Sequence, residues 1–259
     1  MSRGFGVAAG LDPEVATPLA ARCQELDYSS IWSNDTPLAS GFDTIAAFAE
    51  GADRIDLGVT IAIDRHPPEQ IAAELERTGL DGERIWLGIG AGLTKKPLTT
   101  MREALPPLRA ALPGVHIMLA AMGPKMCALA GAEWDGVFFN WVTPEFAAQS
   151  REHVERGAAD AGRETPPVFG YVRTGVGKDA AERLTKEESF YRQLHKGYKD
   201  HFERLGQPVG TVGVAVDEPG EAQTELRRFR ALDVPVARAL ASAKLENMNA
   251  VAEAAAPGA

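Results

Sequence analysis

Short apolar runs, many rich in β-branched residues, alternate along the chain with longer segments whose apolar residues recur at three- and four-residue steps. The runs at residues 5–9, 28–33, 54–63 and 84–87, two more inside 115–142, and those at 167–176 and 234–240 predict buried strands. Residues 211–216 form a further short apolar run, a candidate extra strand. Between them, residues 13–26, 43–50, 69–80, 101–112, 144–161, 180–205, 221–232 and 245–255 read as helices. Asp12 followed by Pro13 suits the start of the first. Pro106 and Pro107 interrupt the fourth, and the fourth strand gives out in Gly88, Ile89, Gly90, Ala91 and Gly92. Phe190, Leu194, Tyr198 and Phe202 follow one another every fourth residue and predict one continuous apolar stripe over 180–205. Such an alternation of strand and helix implies an α/β fold. Its count points to a (β/α)₈ TIM barrel in one domain, residues 1–259, with a doubly wound open sheet as the alternative.

Residues 115–142 concentrate the interest. An apolar run breaks at Gly123-Pro124-Lys125, continues as a short Ala-rich helix, and returns as an apolar run ending in Asn140-Trp141. Gly123 permits close backbone approach, and Pro124 suits the first turn of a helix. The free amides of that helix start would suit an anion such as a phosphate. A plain strand-to-helix turn explains the same residues.

Composition narrows the partner. The formal net charge of -9 argues against binding nucleic acid or an acidic membrane, leaving a small molecule. Cys23 and Cys127 form no CxxC pair, no apolar run reaches membrane-spanning length, and the start of the chain carries no basic-then-apolar signal. A cytoplasmic setting is expected. No HExxH, Cys/His cluster or carboxylate ladder suggests a metal, and no GxSxG a hydrolase. What remains is an organic cofactor held by backbone and apolar walls.

In a barrel, chemistry collects at the carboxyl ends of the strands. Those ends offer Asp35, Thr60-Ile61, Arg65-His66, Gly88 to Gly92, Met122 to Lys125, Asn140-Trp141 and Arg173. Asp35 could position a proton, or belong to an Asn-Asp-Thr-Pro turn. Arg65 and His66 could hold an anion or relay a proton. The spacing Gly88-x-Gly90-x-Gly92 lacks the remainder of a dinucleotide fingerprint and reads better as close approach to a flat ligand. Lys125 could offer charge to a phosphate.

Taken together, YSSIWSND, RIDLGVTIAIDRHP, ERIWLGIGAG and AAMGPKMCALAGAEWDGVFFNW resemble the luciferase-like monooxygenase superfamily, nearest its coenzyme F420-dependent branch. GYKDHFERLG resembles the Tyr-containing late helix of deazaflavin relatives. The resemblance implies a luciferase-like TIM barrel with shortened loops after strand four. It implies F420, or alternatively FMN, lying along Asp35, Thr60, Ile61, Gly88, Gly90, Ala91, Gly92, Asn140 and Trp141. The phosphate would rest at Met122, Gly123, Pro124 and Lys125. A non-proline cis bond, Thr60–Ile61, and a homodimer through barrel helices are further family expectations.

Two departures bear on chemistry. Relatives often carry His where this chain has Thr36, and some carry a catalytic Glu where it has Ala91. Acid–base work would then fall to Asp35, His66 or water. The expected activity is hydride transfer between a deazaflavin and a small organic substrate. The alternatives are an FMN-dependent monooxygenase and a cofactor-binding barrel without turnover.

Overall fold

The computed structural model describes residues 2–258. Strands β1 (Gly4–Gly6), β2 (Ser30–Asn34), β3 (Asp56–Ala62), β4 (Ile85–Gly90), β5 (His116–Ala121) and β6 (Gly136–Asn140) pair in sequence order, all parallel. The ring closes through β7 (Val168–Val176) and β9 (Val234–Ala239), since β6 pairs β7, β7 pairs β9, and β9 pairs β1. Short β8 (Val214–Val216) lies outside this eight-stranded barrel, beside the last three residues of β7. Helices α1 (Pro13–Glu25), α2 (Gly41–Gly51), α3 (Pro68–Thr78), α4 (Pro97–Ala111), α5 (Pro124–Glu133) and α6 (Pro144–Asp160) return the chain between successive strands. After β7 come α7 (Ala180–Leu194) and α8 (Lys196–Leu205); α9 (Pro219–Leu226) follows β8, and α10 (Leu245–Ala254) closes the fold.

Each strand is buried on two faces, so both alternating sets are largely apolar. The outward set, including Phe5, Ile31, Leu57, Val59, Leu87 and Val137, packs under the helices as the main core. The inward set fills the lumen with Trp32, Met118, Phe138, Phe169, Tyr171, Val234 and Val236. Gly58 makes this filling possible, because a Cβ there would lie 2.1 Å from the Trp32 ring. A third cluster, Trp141, Leu184, Phe202, Leu205, Val212 and Leu240, joins α7 and α8 to the strand ends as a cap.

Four expectations are corrected. The fourth strand does not dissolve at Gly88: its ladder to β3 runs on to Gly90, opposite Ala62. Pro106 and Pro107 do not break α4, because both lie on its exposed face, where the carbonyls they leave unbonded remain near solvent. Residues 180–205 form two helices. The backbone turns extended at His195 (φ −163°, ψ 167°), and the His195 Nδ1 accepts the Gly197 amide 3.1 Å away to start α8. The apolar stripe is therefore split, with Phe190 and Leu194 exposed and Phe202 in the cap. Finally, there is no cis peptide bond among the described residues, so Thr60–Ile61 is trans; β3 pairs regularly with β4 through both residues.

Candidate active site

Alternation along the strands decides which residues enter the lumen. Above the packed aromatic layer, Thr60 and Ala62 of β3, Gly90 of β4 and Ala120 of β5 face inward and are only half-buried. These small side chains make one side of the barrel mouth flat and mostly apolar. A Cβ placed on Gly90 would meet Ala120 Cβ and Ile61 O at 3.6 Å, ordinary van der Waals contact, so the position accepts a side chain without a clash. Gly88 sits lower, in the filled lumen; a Cβ there would press on Thr60 Cγ2 at 3.0 Å. Gly92 is glycine for a local reason. Its φ is +59°, and a Cβ would lie 1.8 Å from the Asp64 carboxylate, which accepts the Leu93 amide at 2.8 Å. Ile61 turns outward into the main core, and Ala91 packs against that core from the loop.

The opposite side of the mouth is polar. Asn34 closes β2 and Asn140 closes β6, both facing inward, and Arg173 and Arg238 face inward in the carboxyl-terminal halves of β7 and β9. Arg173 donates to Asn140 Oδ1, binds Glu187 at 3.2 Å, and lies 4.0 Å over the Trp141 ring. Asn140 Nδ2 in turn donates to the Tyr198 hydroxyl at 3.0 Å. Beneath them, the Tyr171 hydroxyl donates to Ser33 O at 3.2 Å, and burial pushes its pKa up to about 12, so it stays protonated. Trp141 itself is 1% exposed. It adopts a left-handed conformation (φ 55°), and its ring is roofed by the cap rather than offered to the mouth.

Asp35 and His66 are brought together, on the other face. Following Asn34, Asp35 turns toward the first turn of α2, where its Oδ1 accepts the Gly41 amide at 3.0 Å. Its Oδ2 accepts from Arg65 Nη2 at 3.0 Å and from His66 Nε2 at 2.8 Å. His66 Nε2 donates in this bond to the carboxylate, and its buried Nδ1 has no partner among the described residues. This candidate catalytic pair is a joint between the β2 and β3 exits. Thr36 closes its own loop through the Ala39 amide at 3.1 Å.

Gly123 precedes α5 in an extended conformation, and Met126 and Cys127 direct their amides back to its carbonyl. Pro124 has no amide, so the Gly123 and Lys125 N–H groups are the donors this turn leaves. A Cβ on Gly123 would meet only Arg204 Nη2, at 3.9 Å. The Lys125 side chain is exposed, whereas Arg204 is fixed beside the turn by the Met122 carbonyl at 3.2 Å. A phosphate fits here on three grounds: free amides, open space, and a held guanidinium.

Arg204 belongs to a polar face of α8 that pattern reading missed. Tyr198, His201 and Arg204, three residues apart, reach Asn140, the Trp141 carbonyl (2.7 Å from His201 Nε2) and the Met122 carbonyl. Thus α8 clamps the exits of β5 and β6. Burial lowers the His201 pKa, so its ring is neutral and donates through Nε2. A hydrophilic stripe on a helix with buried Phe202 was the available signal. For Arg238 the signal was a charge inside the apolar run VPVARA. Both cysteines are free and buried, and no group of metal-ligating side chains occurs among the described residues. Nor is any described helix long and apolar enough to cross a membrane.

The profile of the luciferase-like monooxygenase family matches residues 99–254. The 5,10-methylenetetrahydromethanopterin reductase of Methanolobus tindarius is 26% identical over 174 residues, 54% of this chain and 53% of that protein. The chain spans about half the length of the curated relatives it matches. Among solved structures, an F420-dependent secondary alcohol dehydrogenase in complex with an F420–acetone adduct superposes with a TM-score of 0.75 at 17% identity. That match covers 98% of this chain and 99% of the other. The oxygenating constituent of 3,6-diketocamphane monooxygenase from Pseudomonas putida, in complex with FMN, gives 0.65 at 12% identity over 99% of each chain. At these identities the superpositions show a shared barrel fold. With more than half of its residues matched by the family profile, the chain belongs to the luciferase-like monooxygenase family.

Proposed function

We propose that this barrel is an oxidoreductase that binds coenzyme F420 and transfers hydride to or from a small organic substrate. The observation that carries the reading is the two-sided mouth: a flat shelf at Ala62, Gly90 and Ala120 facing a polar rim at Asn34, Asn140 and Arg173. A planar tricycle suits the shelf, and its phosphate suits the α5 turn. The bound deazaflavin would supply the hydride. Gly90 and Ala120 would hold the ring through apolar contact, and the Gly123 and Lys125 amides with Arg204 would anchor the phosphate. Asn140, fixed between Arg173 and Tyr198, would orient polar atoms of ring or substrate. Asp35 and His66 would act by holding the two rim loops in register.

The FMN-dependent monooxygenase is the second reading, supported by the fold shared with an FMN-bound protein. A third, binding without turnover, is favoured by the Asp35–His66 pair being engaged away from the lumen. Fluorescence titration of pure protein with F420 and with FMN separates the first two, and turnover of the reduced cofactor with a panel of acceptors separates both from the third. Replacing Gly123 by Asp puts a charge against the anchored phosphate and is expected to weaken cofactor binding about tenfold or more, a loss on the order of 1.4 kcal/mol. Unchanged affinity removes the phosphate assignment, and no binding of either cofactor removes the enzyme reading.

A further inference from the structure

Three arginines are almost fully buried, and their counter-charges differ. Arg3, 2% exposed, donates from Nη1 to the Ala255 and Ala256 carbonyls at 2.7 and 2.9 Å, at the negative end of α10. Arg173, also 2% exposed, is neutralised by Glu187. Arg238, 7% exposed, has no carboxylate within 4.0 Å among the described residues. Its only acceptors among the described residues are the Ala239 carbonyl at 3.0 Å and Asn34 Oδ1 at 3.3 Å. A guanidinium has five N–H donors, so most of its fork is unused.

Its place in the barrel directs that unused fork. Arg238 pairs in register with Arg173 on β7 and with Gly6 on β1, and all three face the lumen. Gly6 has no side chain to block it; a Cβ there would lie 3.4 Å from Arg238 Cδ. The arginine stem therefore crosses above β1 to reach Asn34, level with the shelf. The two arginines are neighbours in register but their side chains diverge, Arg173 toward Asn140, Glu187 and the Trp141 ring and Arg238 toward Asn34, so the one carboxylate serves Arg173 alone. A buried cation without a counter-charge is unfavourable unless something anionic completes it.

We propose that Arg238, seconded by Asn34, receives the carboxylate of the substrate, and that the protein acts on small organic acids rather than neutral molecules. The planar fork matches a carboxylate in two parallel hydrogen bonds, geometry that an ammonium or a neutral amide cannot reproduce. This specificity rests on the oxidoreductase reading above, but its test does not require turnover.

The test uses benzoate and benzamide, which share ring and size and differ in charge, measured by calorimetry on the cofactor-free protein in a zwitterionic buffer without added salt. Wild type is expected to bind benzoate at least tenfold more tightly than benzamide. Arg238→Gln should erase that preference, and Arg238→Lys should keep part of it. Asn34→Asp supplies an internal carboxylate beside Arg238; it should abolish benzoate binding while raising Tm, by about 2–4 °C if the new pair contributes about 1 kcal/mol. That gain also guards against a variant that merely fails to fold. Equal binding of the two probes by wild type, or an unchanged preference in Arg238→Gln, overturns the proposal. So does a loss of F420 affinity of tenfold or more in Arg238→Gln, which would assign the arginine to the cofactor. Failure of wild type to bind F420 or FMN, with the benzoate preference intact, removes the oxidoreductase reading alone.

Discussion

The cap over the mouth hangs on Glu188, and replacing it tests whether that cap is rigid. Glu188 is 0% exposed on α7. Its Oε2 accepts the Gly210 and Val212 amides at 2.9 and 3.1 Å, and its Oε1 accepts from Arg192 Nε and Nη2 at 2.9 and 2.6 Å. One carboxylate thus ties α7 to the loop that follows α8, holding α8 and its Tyr198–His201–Arg204 face against β5 and β6. Glu188→Ala leaves two amides without their acceptor and an arginine without its counter-charge. An orphaned buried amide costs about 1–3 kcal/mol. Removing one partner of a buried pair costs about 3–5 kcal/mol. Because Arg192 can swing partly into solvent, the combined loss is set near the second range rather than at the sum of both. For a chain of this size each kcal/mol shifts Tm by about 2–4 °C, so a fall of about 6–20 °C is expected. Differential scanning calorimetry reads it, and F420 titration should show weaker binding as α8 loosens. A Tm within about 2 °C of wild type refutes the argument that this carboxylate organises the cap.

Gly90→Leu should fill the shelf without disturbing the barrel, since its Cβ has ordinary contact distances. Cofactor affinity should drop more than about tenfold, with stability changed by about 0.5 kcal/mol or less; intact binding in a titration counts against the shelf. His201 gives a pH dependence. Its folded pKa lies below the usual histidine value through burial, so the unfolded chain takes the proton first. The stability it contributes is complete above the unfolded pKa of about 6.5 and is lost as pH falls toward the lower folded value. Wild-type Tm should therefore fall more between pH 7 and 5 than that of His201→Gln, which keeps a donor for the Trp141 carbonyl; parallel curves in the two proteins contradict this.

The barrel was legible because parallel strands buried on both faces stand out as apolar runs between amphipathic helices. The same double burial hid the site. With both faces apolar, no period-two pattern says which residue enters the lumen, so Asp35 was singled out and its neighbour Asn34 passed over, whereas Asp35 bonds the Gly41 amide and Asn34 faces inward to Arg238. The helix break at His195 was hidden because the residues before it favour helix and the capping group is a histidine side chain; Gly197, whose amide that side chain accepts, was the one local sign of it. Arg204 joined the α5 turn only through tertiary packing, some eighty residues away in sequence. Gly92 was legible as special, but its cause is the Asp64 carboxylate and not a ligand.

The central claim is that the mouth holds a flat redox cofactor whose phosphate rests on the α5 turn. A crystal structure of the protein with F420 bound tests it directly. The ring is expected on the shelf of Gly90 and Ala120, with a phosphate oxygen within hydrogen-bond distance of the Lys125 amide and Arg204. A cofactor bound instead in the groove along α7 and α8, lined by Arg192, His195, Lys199, Asp200, Phe202 and Glu203, would contradict it.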